Sequence, residues 1–239
     1  MRGSSDPRIL GLRARYFVAS GAGEAGMEAL KAALRANRRD GYLRVAMGEL
    51  CLQAEQYGPA ARYFDAAMRL DGVDPREALA GLALAYALDR RRGPAERALD
   101  QAGEQSAGEG DARPARSQSA TAAIAARELV ARGRLELIDD RGPAARRFAA
   151  RALERSPSQG DALLLDAQLA IEQESITPEK LRRAWLGQPR QPIAAARLAL
   201  ALGPNEEGCA LGQAYLMAAP SGRDANAVRE LVGRCAASD

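Results

Sequence analysis

The tripeptide Gly-Pro-Ala occurs three times, at Gly58-Pro59-Ala60, Gly93-Pro94-Ala95 and Gly142-Pro143-Ala144. Proline has no N–H donor, so a helix tolerates it in its first turn and not in its interior. Glycine is the residue that most often closes a helix. Each Gly-Pro therefore predicts the end of one helix and the first turn of the next. Three such joints in Ala- and Leu-rich surroundings predict helical hairpins repeated along the chain, an architecture in which each unit buries its apolar face against its neighbour.

The repeat has a register. Met47-Gly48-Glu49-Leu50-Cys51 precedes Tyr57-Gly58-Pro59-Ala60-Ala61-Arg62-Tyr63-Phe64, which runs into Ala66-Ala67-Met68. Gly48 and Ala60 are expected to face each other across a tight hairpin, with Phe64 filling the space beyond. Upstream by 34 residues, Ala14, Phe17 and Leu30 stand where Gly48, Cys51 and Phe64 do, and Ala33-Leu34 replaces Ala67-Met68. Downstream, Ala83 and Tyr86 precede the second Gly-Pro, and Leu99 and Ala102 follow it. Gly133 precedes the third, and Phe148, Ala152-Leu153 and Pro157 follow.

A small residue and Tyr in a first helix, then Ala, an aromatic and Ala in a second, then Pro, resembles the tetratricopeptide repeat family. The segment Tyr57–Phe64 carries the resemblance best and Phe148–Pro157 next; residues 7–175 carry it more strongly than the rest. The usual Trp of the first helix is absent from these repeats. Gly26 replaces an expected Ala, and Gly72 replaces a closing Pro. The resemblance implies an all-α fold, a right-handed superhelical solenoid of stacked antiparallel helix pairs, with about five to six repeats.

Composition agrees with that class. Hydrophobic residues make up 47% and aromatics only 4%, so good helix formers dominate and strand formers are scarce. The division expected is one solenoid over 1–239. Residues 1–6 read as a tag-like or flexible start, 7–102 as N-terminal repeats and 120–175 as central repeats. Residues 103–119, rich in Gly, Ser, Glu and Arg, read as a flexible loop. In 176–239, Pro178 opens a short helix with Leu181, Ala184 and Trp185, and a helix over 192–202 follows. Degenerate units at that end would cap the stack.

The chain has no histidine. That excludes Ser-His and Cys-His nucleophile pairs, histidine bases and His-containing metal sites. No side chain has an unperturbed pKa near 6.5, so a pH response between 5 and 7 would have to come from a shifted carboxylate or from a partner. There is no CxxC motif among Cys51, Cys209 and Cys235. Gly21-Ala22-Gly23-Glu24-Ala25-Gly26 matches a dinucleotide fingerprint only as a string, since a helix and not a strand is expected before it. Asp139-Asp140 and Glu206-Glu207 are neighbours that point apart on a helix. Arg90-Arg91-Arg92 is expected at a helix C-terminus, and Arg146-Arg147 and Arg182-Arg183 on exposed faces. Net charge is +3, which leaves no global footprint for nucleic acid. No cofactor, metal or catalytic constellation is expected.

In the resembled family the first helices of the pairs line a concave face. The residues that the resemblance places there are Arg15, Tyr42, Val45, Glu49, Leu52, Leu84, Arg127, Val130, Arg134, Leu137 and Gln168. Some chaperone-binding relatives clamp a terminal carboxylate there with Lys and Asn, and this chain has neither at these places. The expected partner is a protein or peptide with apolar anchors and acidic flanks. The expected role is a non-catalytic scaffold or adaptor in a bacterial multiprotein assembly, such as a pilus, secretion, polarity or motility complex. The Ala, Arg, Gly and Leu excess, with Lys31 and Lys180 the only lysines, suggests a GC-rich genome. Cys209 and Cys235 flank Pro220-Ser221-Gly222 at similar distances, so antiparallel helices there would permit a disulfide. That alternative is a periplasmic or outer-membrane-associated assembly factor; two buried thiols in the cytoplasm is the other reading. Cys51 reads as a core residue. No apolar run is long enough to span a membrane, and the oligomeric state is left open.

Overall fold

The computed structural model of the chain describes residues 9–10, 23–70, 72–107, 118–171, 177–187 and 191–236. Among them the helices are α1 (Gly23–Ala36), α2 (Gly41–Gln53), α3 (Tyr57–Met68), α4 (Pro75–Leu88), α5 (Arg92–Ala107) and α6 (Gln118–Ile138). They continue as α7 (Gly142–Arg155), α8 (Gly160–Ile171), α9 (Pro178–Trp185), α10 (Pro192–Leu202), α11 (Glu206–Ala218) and α12 (Ala225–Ala236). No strand occurs among the described residues. The fold is all-α, a helical-repeat solenoid in which α2/α3, α4/α5, α6/α7, α8/α9 and α10/α11 pack as pairs and each pair packs on the next. The first helices α2, α4, α6 and α8 stack directly on one another.

Local chemistry sets these boundaries. Asp40 caps α2 by accepting from Leu43 N at 2.8 Å, and Asn205 caps α11 by accepting from Gly208 N at 2.8 Å. Asp74 and Thr177 cap α4 and α9, each followed by a proline at the first helical position. Such caps satisfy amide groups that the helix cannot satisfy itself.

The three Gly-Pro joints work differently from the sequence expectation. Gly58 and Gly93 do not close the preceding helices; they lie inside the first turns of α3 and α5. The closing residues are Glu55 (φ 58°), Arg90 (φ 58°) and Asp140 (φ 57°), all left-handed and none of them glycine. The amides of the next residues, Gln56, Arg91 and Arg141, donate back to the carbonyls of Cys51, Tyr86 and Glu136 at 2.8, 2.8 and 2.9 Å. This is the six-to-one bond that closes a Schellman turn. The third joint is also shifted: Pro143 is the second residue of α7, while Pro59 and Pro94 are third in α3 and α5. All three prolines remain in a first turn, where the missing N–H leaves no bond unmade. The shift puts Ala149, and not Phe148, at the fully buried position that Phe64 occupies in α3.

Phe64 is fully buried and holds three helices together. A Cβ placed on Gly48 of α2 would lie 2.8 Å from its ring, and one on Gly81 of α4 would lie 2.5 Å away. The two glycines are therefore the cup for that ring. Gly133 of α6 plays the same part against Leu165 of α8, where an added Cβ would approach to 2.8 Å. One core runs from Leu30 to Leu169, and smaller clusters around Leu198 and Tyr215 continue it. Trp185 packs against both of the smaller clusters.

The expected loop 103–119 is partly helical. Ala98, Leu99 and Ala102 anchor α5 to the core, and the helix propagates to Ala107 because each added residue costs little once a helix is nucleated. α6 opens at Gln118, and residues 108–117 lie outside the described residues. Gly23–Gly26 form the first turn of α1, while Gly21 and Ala22 lie outside the described residues.

Candidate functional site

The stacked first helices enclose a cavity of about 480 Å³. Of the residues predicted for the concave face, Glu49, Leu52, Leu84, Arg127, Val130, Arg134, Leu137 and Gln168 line it. Val45 does not; it is 1% exposed and packed in the core. Tyr42 is half-buried outside the cavity. Arg15 lies outside the described residues. Leu84 and Val130 form a nearly closed apolar floor, while Leu52 and Leu137 retain exposed area.

Sequence reasoning missed the other half of the wall. Glu55, Tyr57, Arg90 and Asp140 come from the inter-helix joints, and Ile193, Arg197, Arg223 and Asp224 from the C-terminal units. Continuing the first-helix register into α10 would have found Arg197. The joint residues carried no such signal, because their approach depends on how tightly the solenoid curls. The curl brings its two ends together. The Tyr215 hydroxyl donates to Glu55 Oε1 at 2.9 Å and accepts from Asp224 N at 3.1 Å. Arg223 N donates to Glu55 Oε2 at 3.2 Å. Burial and the Glu55 carboxylate push the Tyr215 hydroxyl well above its usual pKa, so it stays a donor. Gly222 is needed beside it, since an added Cβ would lie 2.3 Å from both Glu55 Oε1 and the Tyr215 hydroxyl.

Two arginines of α6 share the cavity with opposite balances. Arg127 is 8% exposed and faces Glu49 at 3.4 Å and Asp161 at 3.5 Å. Asp161 is held in turn by the Gln159 and Gln191 amides at 3.1 and 3.0 Å. Burial opposes the charge on Arg127, but Glu49, Asp161 and Glu77 outweigh it and raise its pKa. Arg134, two turns on, donates to the neutral Gln168. Its Nε is closed off from solvent and has no hydrogen-bond partner. Burial pulls its pKa down to about 10, against the opposing pull of Tyr57 and Asp161. The Gln53 Oε1 is likewise enclosed without a donor.

Other sequence clusters have structural roles. Arg92 opens α5, instead of ending α4, and pairs with Glu96 and Asp139. Arg91 lies 4.8 Å over the Tyr86 ring. Arg182 binds Glu207 through two bonds of 2.9 Å. Cys51 is a core residue whose thiol is pushed up to about 11 by burial. Cys209 and Cys235 are joined by a disulfide between α11 and α12, with Cα atoms 6.2 Å apart. Among the described residues no helix is long and apolar enough to cross a membrane.

No family model and no curated protein sequence matches the chain. Solved structures do. A tetratricopeptide repeat protein from Parabacteroides merdae superposes with a TM-score of 0.50 at 11% identity, covering 98% of this chain and 86% of that one. The fold is tetratricopeptide-like. The APC/C hetero-tetramer Cut9-Hcn1 superposes with a TM-score of 0.53 at 10% identity, covering 98% of this chain and 43% of that one. The tetratricopeptide-like solenoid accounts for the stacked first helices and for the cavity they enclose.

Proposed function

We propose that the chain is a non-catalytic protein-interaction scaffold that binds a peptide or helix of a partner protein in this cavity. The observation that carries the reading is the convergence of Leu52, Leu84, Val130 and Leu137 with uncapped polar groups in one concavity. The lining is mixed, with five arginines and five carboxylates around these apolar side chains, and concave sites that join apolar surface to placed polar groups are the usual form of binding pockets. Apolar anchors with acidic flanks fit it. The proposed place is in a bacterial multiprotein assembly, such as a pilus, secretion, polarity or motility complex, a role that the tetratricopeptide resemblance permits.

A peptide-display selection against the folded chain tests this, with Leu52→Asp/Leu137→Asp as the counter-target. Both leucines keep exposed area, so circular dichroism should show the variant folded. The expected result is enrichment of apolar-acidic sequences whose affinity for the variant falls at least about tenfold, as burying unpaired charge against an apolar anchor requires. Selected peptides that bind both proteins equally would sink the cavity model.

A second reading is an envelope assembly factor in an oxidising compartment. The Cys209–Cys235 disulfide supports it. Under denaturing, non-reducing conditions one free thiol, Cys51, is expected per chain. Reduction should lower stability by about 3 kcal/mol, the loop-closure effect for a bridge between residues 26 apart. Three free thiols in protein isolated under thiol-blocking conditions would remove this reading.

A further inference from the structure

We propose that Arg134, Arg197, Arg223 and Tyr57 form a seat for a carboxylate carried beside an apolar group on the bound peptide. The proposal rests on the cavity reading above and names the chemistry it recognises. All four residues line the one cavity.

The charge pattern points there. Arg127 has its own carboxylates in Glu49 and Asp161. Arg134, Arg197 and Arg223 have no ion pair among the described residues. Among the described residues the only group bonded to the Arg134 guanidinium is the neutral Gln168 amide oxygen, and its Nε has no hydrogen-bond partner. Leaving a part-buried cation without an ion pair is unfavourable, because burial removes hydration that Asp161 offsets only in part. Arg197 and Arg223 lie close enough to depress Arg134 further, and all three act on Tyr57. Tyr57 is itself pushed up to about 12 by burial and by Glu55, so its hydroxyl remains a donor at neutral pH. The result is a group of donors in which three arginines have no ion pair among the described residues, although Glu55, Asp140 and Asp224 line the same cavity. A carboxylate supplies the missing charge and accepts several charge-assisted bonds at once. Leu137, Leu164 and Ile193 line the same cavity, which is why the acid should have an apolar neighbour.

Arg134 also separates a binding role from a structural one. A residue that stabilises the fold weakens it when removed. A residue held unpaired for a ligand does not, and functional sites commonly trade stability in this way. Replacing Arg134 by Met should leave the thermal midpoint unchanged or raise it, while abolishing carboxylate binding.

Four probes decide the chemistry. They are N-acetyl-Leu-Asp-Leu-amide, N-acetyl-Leu-Leu with a free terminus, the neutral N-acetyl-Leu-Asn-Leu-amide, and inorganic phosphate. Binding is measured by isothermal titration calorimetry, and engagement of the seat is read from the Arg134 Nε–H resonance in ¹⁵N NMR spectra. At least one carboxylate probe should shift that resonance saturably, and which one does so tells a side-chain acid from a chain terminus. The neutral peptide should bind at least about tenfold more weakly, and Arg197→Gln/Arg223→Gln should weaken the carboxylate probe by a similar factor, as expected for charged hydrogen bonds. Equal binding of the Asp and Asn peptides, binding of phosphate alone, or no binding of either carboxylate probe overturns the seat. So does an Arg134→Met protein that loses as much stability as Arg127→Met. Display-selected peptides that need Leu52 and Leu137 but ignore Arg197 and Arg223 overturn the seat and leave the cavity reading standing. Peptides that ignore the leucines overturn the cavity reading itself.

Discussion

Phe64→Ala is expected to lower the stability of the chain by about 3–5 kcal/mol, the range for deleting a buried aromatic ring. Phe64 has no exposed surface, and its ring fills the gap between Gly48 on α2 and Gly81 on α4. Neither glycine has a side chain that could turn into the void, so the cavity would persist instead of collapsing. The same geometry reverses the sign of a second substitution. In the wild-type chain Gly81→Ala puts a Cβ 2.5 Å from the ring and should cost about 1–3 kcal/mol through overpacking. In the Phe64→Ala background it should stabilise, since the methyl group enters empty space and alanine gains about 1 kcal/mol of helix propensity over glycine. Urea denaturation of the four proteins measures the cycle. Additive effects would show that Phe64 and Gly81 do not pack as described.

Arg127→Met should cost about 3 kcal/mol, although methionine fills the apolar part of the space well. The loss arises from what stays behind. Removing one partner of a buried ion pair leaves uncompensated charge, here the carboxylates of Glu49 and Asp161, and such deletions typically cost about 3–5 kcal/mol. The lower end is expected because the Gln159 and Gln191 amides still donate to Asp161. Adding Glu49→Gln should recover part of the loss, because it removes one of the two carboxylates that Arg127 neutralises. Thermal denaturation of the single and double variants checks both statements. An Arg127→Met protein as stable as the wild type would mean that Arg127 does not tie α2, α6 and α8 together.

The hairpin repeat was legible because its cause is local. Proline must sit in a first turn, alanine and glycine must sit where helices approach, and each constraint acts within a few residues. The helices expected over 192–202 and from Pro178 through Trp185 fall there for that reason. The left-handed closures at Glu55, Arg90 and Asp140 were not legible. The usual sign is glycine, and here the glycines lie two or three residues further on. The candidate site was half legible. The family resemblance placed Leu52, Arg127, Arg134 and Gln168 on one inward face, but it could not separate Val45, which is packed in the core.

By itself, then, the sequence determined the all-α class and the hairpin unit, and its family resemblance implied the inward face of most first helices. The tertiary structure alone decided the closure of the solenoid and the charge balance inside it. Glu55 and Tyr215 are 160 residues apart, and Arg127 and Glu49 are 78 apart. Whether such residues meet depends on the summed small rotations of every repeat between them. Nothing in a single repeat fixes that sum. It is why Arg127 pairs with two carboxylates and Arg134, two turns along the same helix, pairs with none among the described residues.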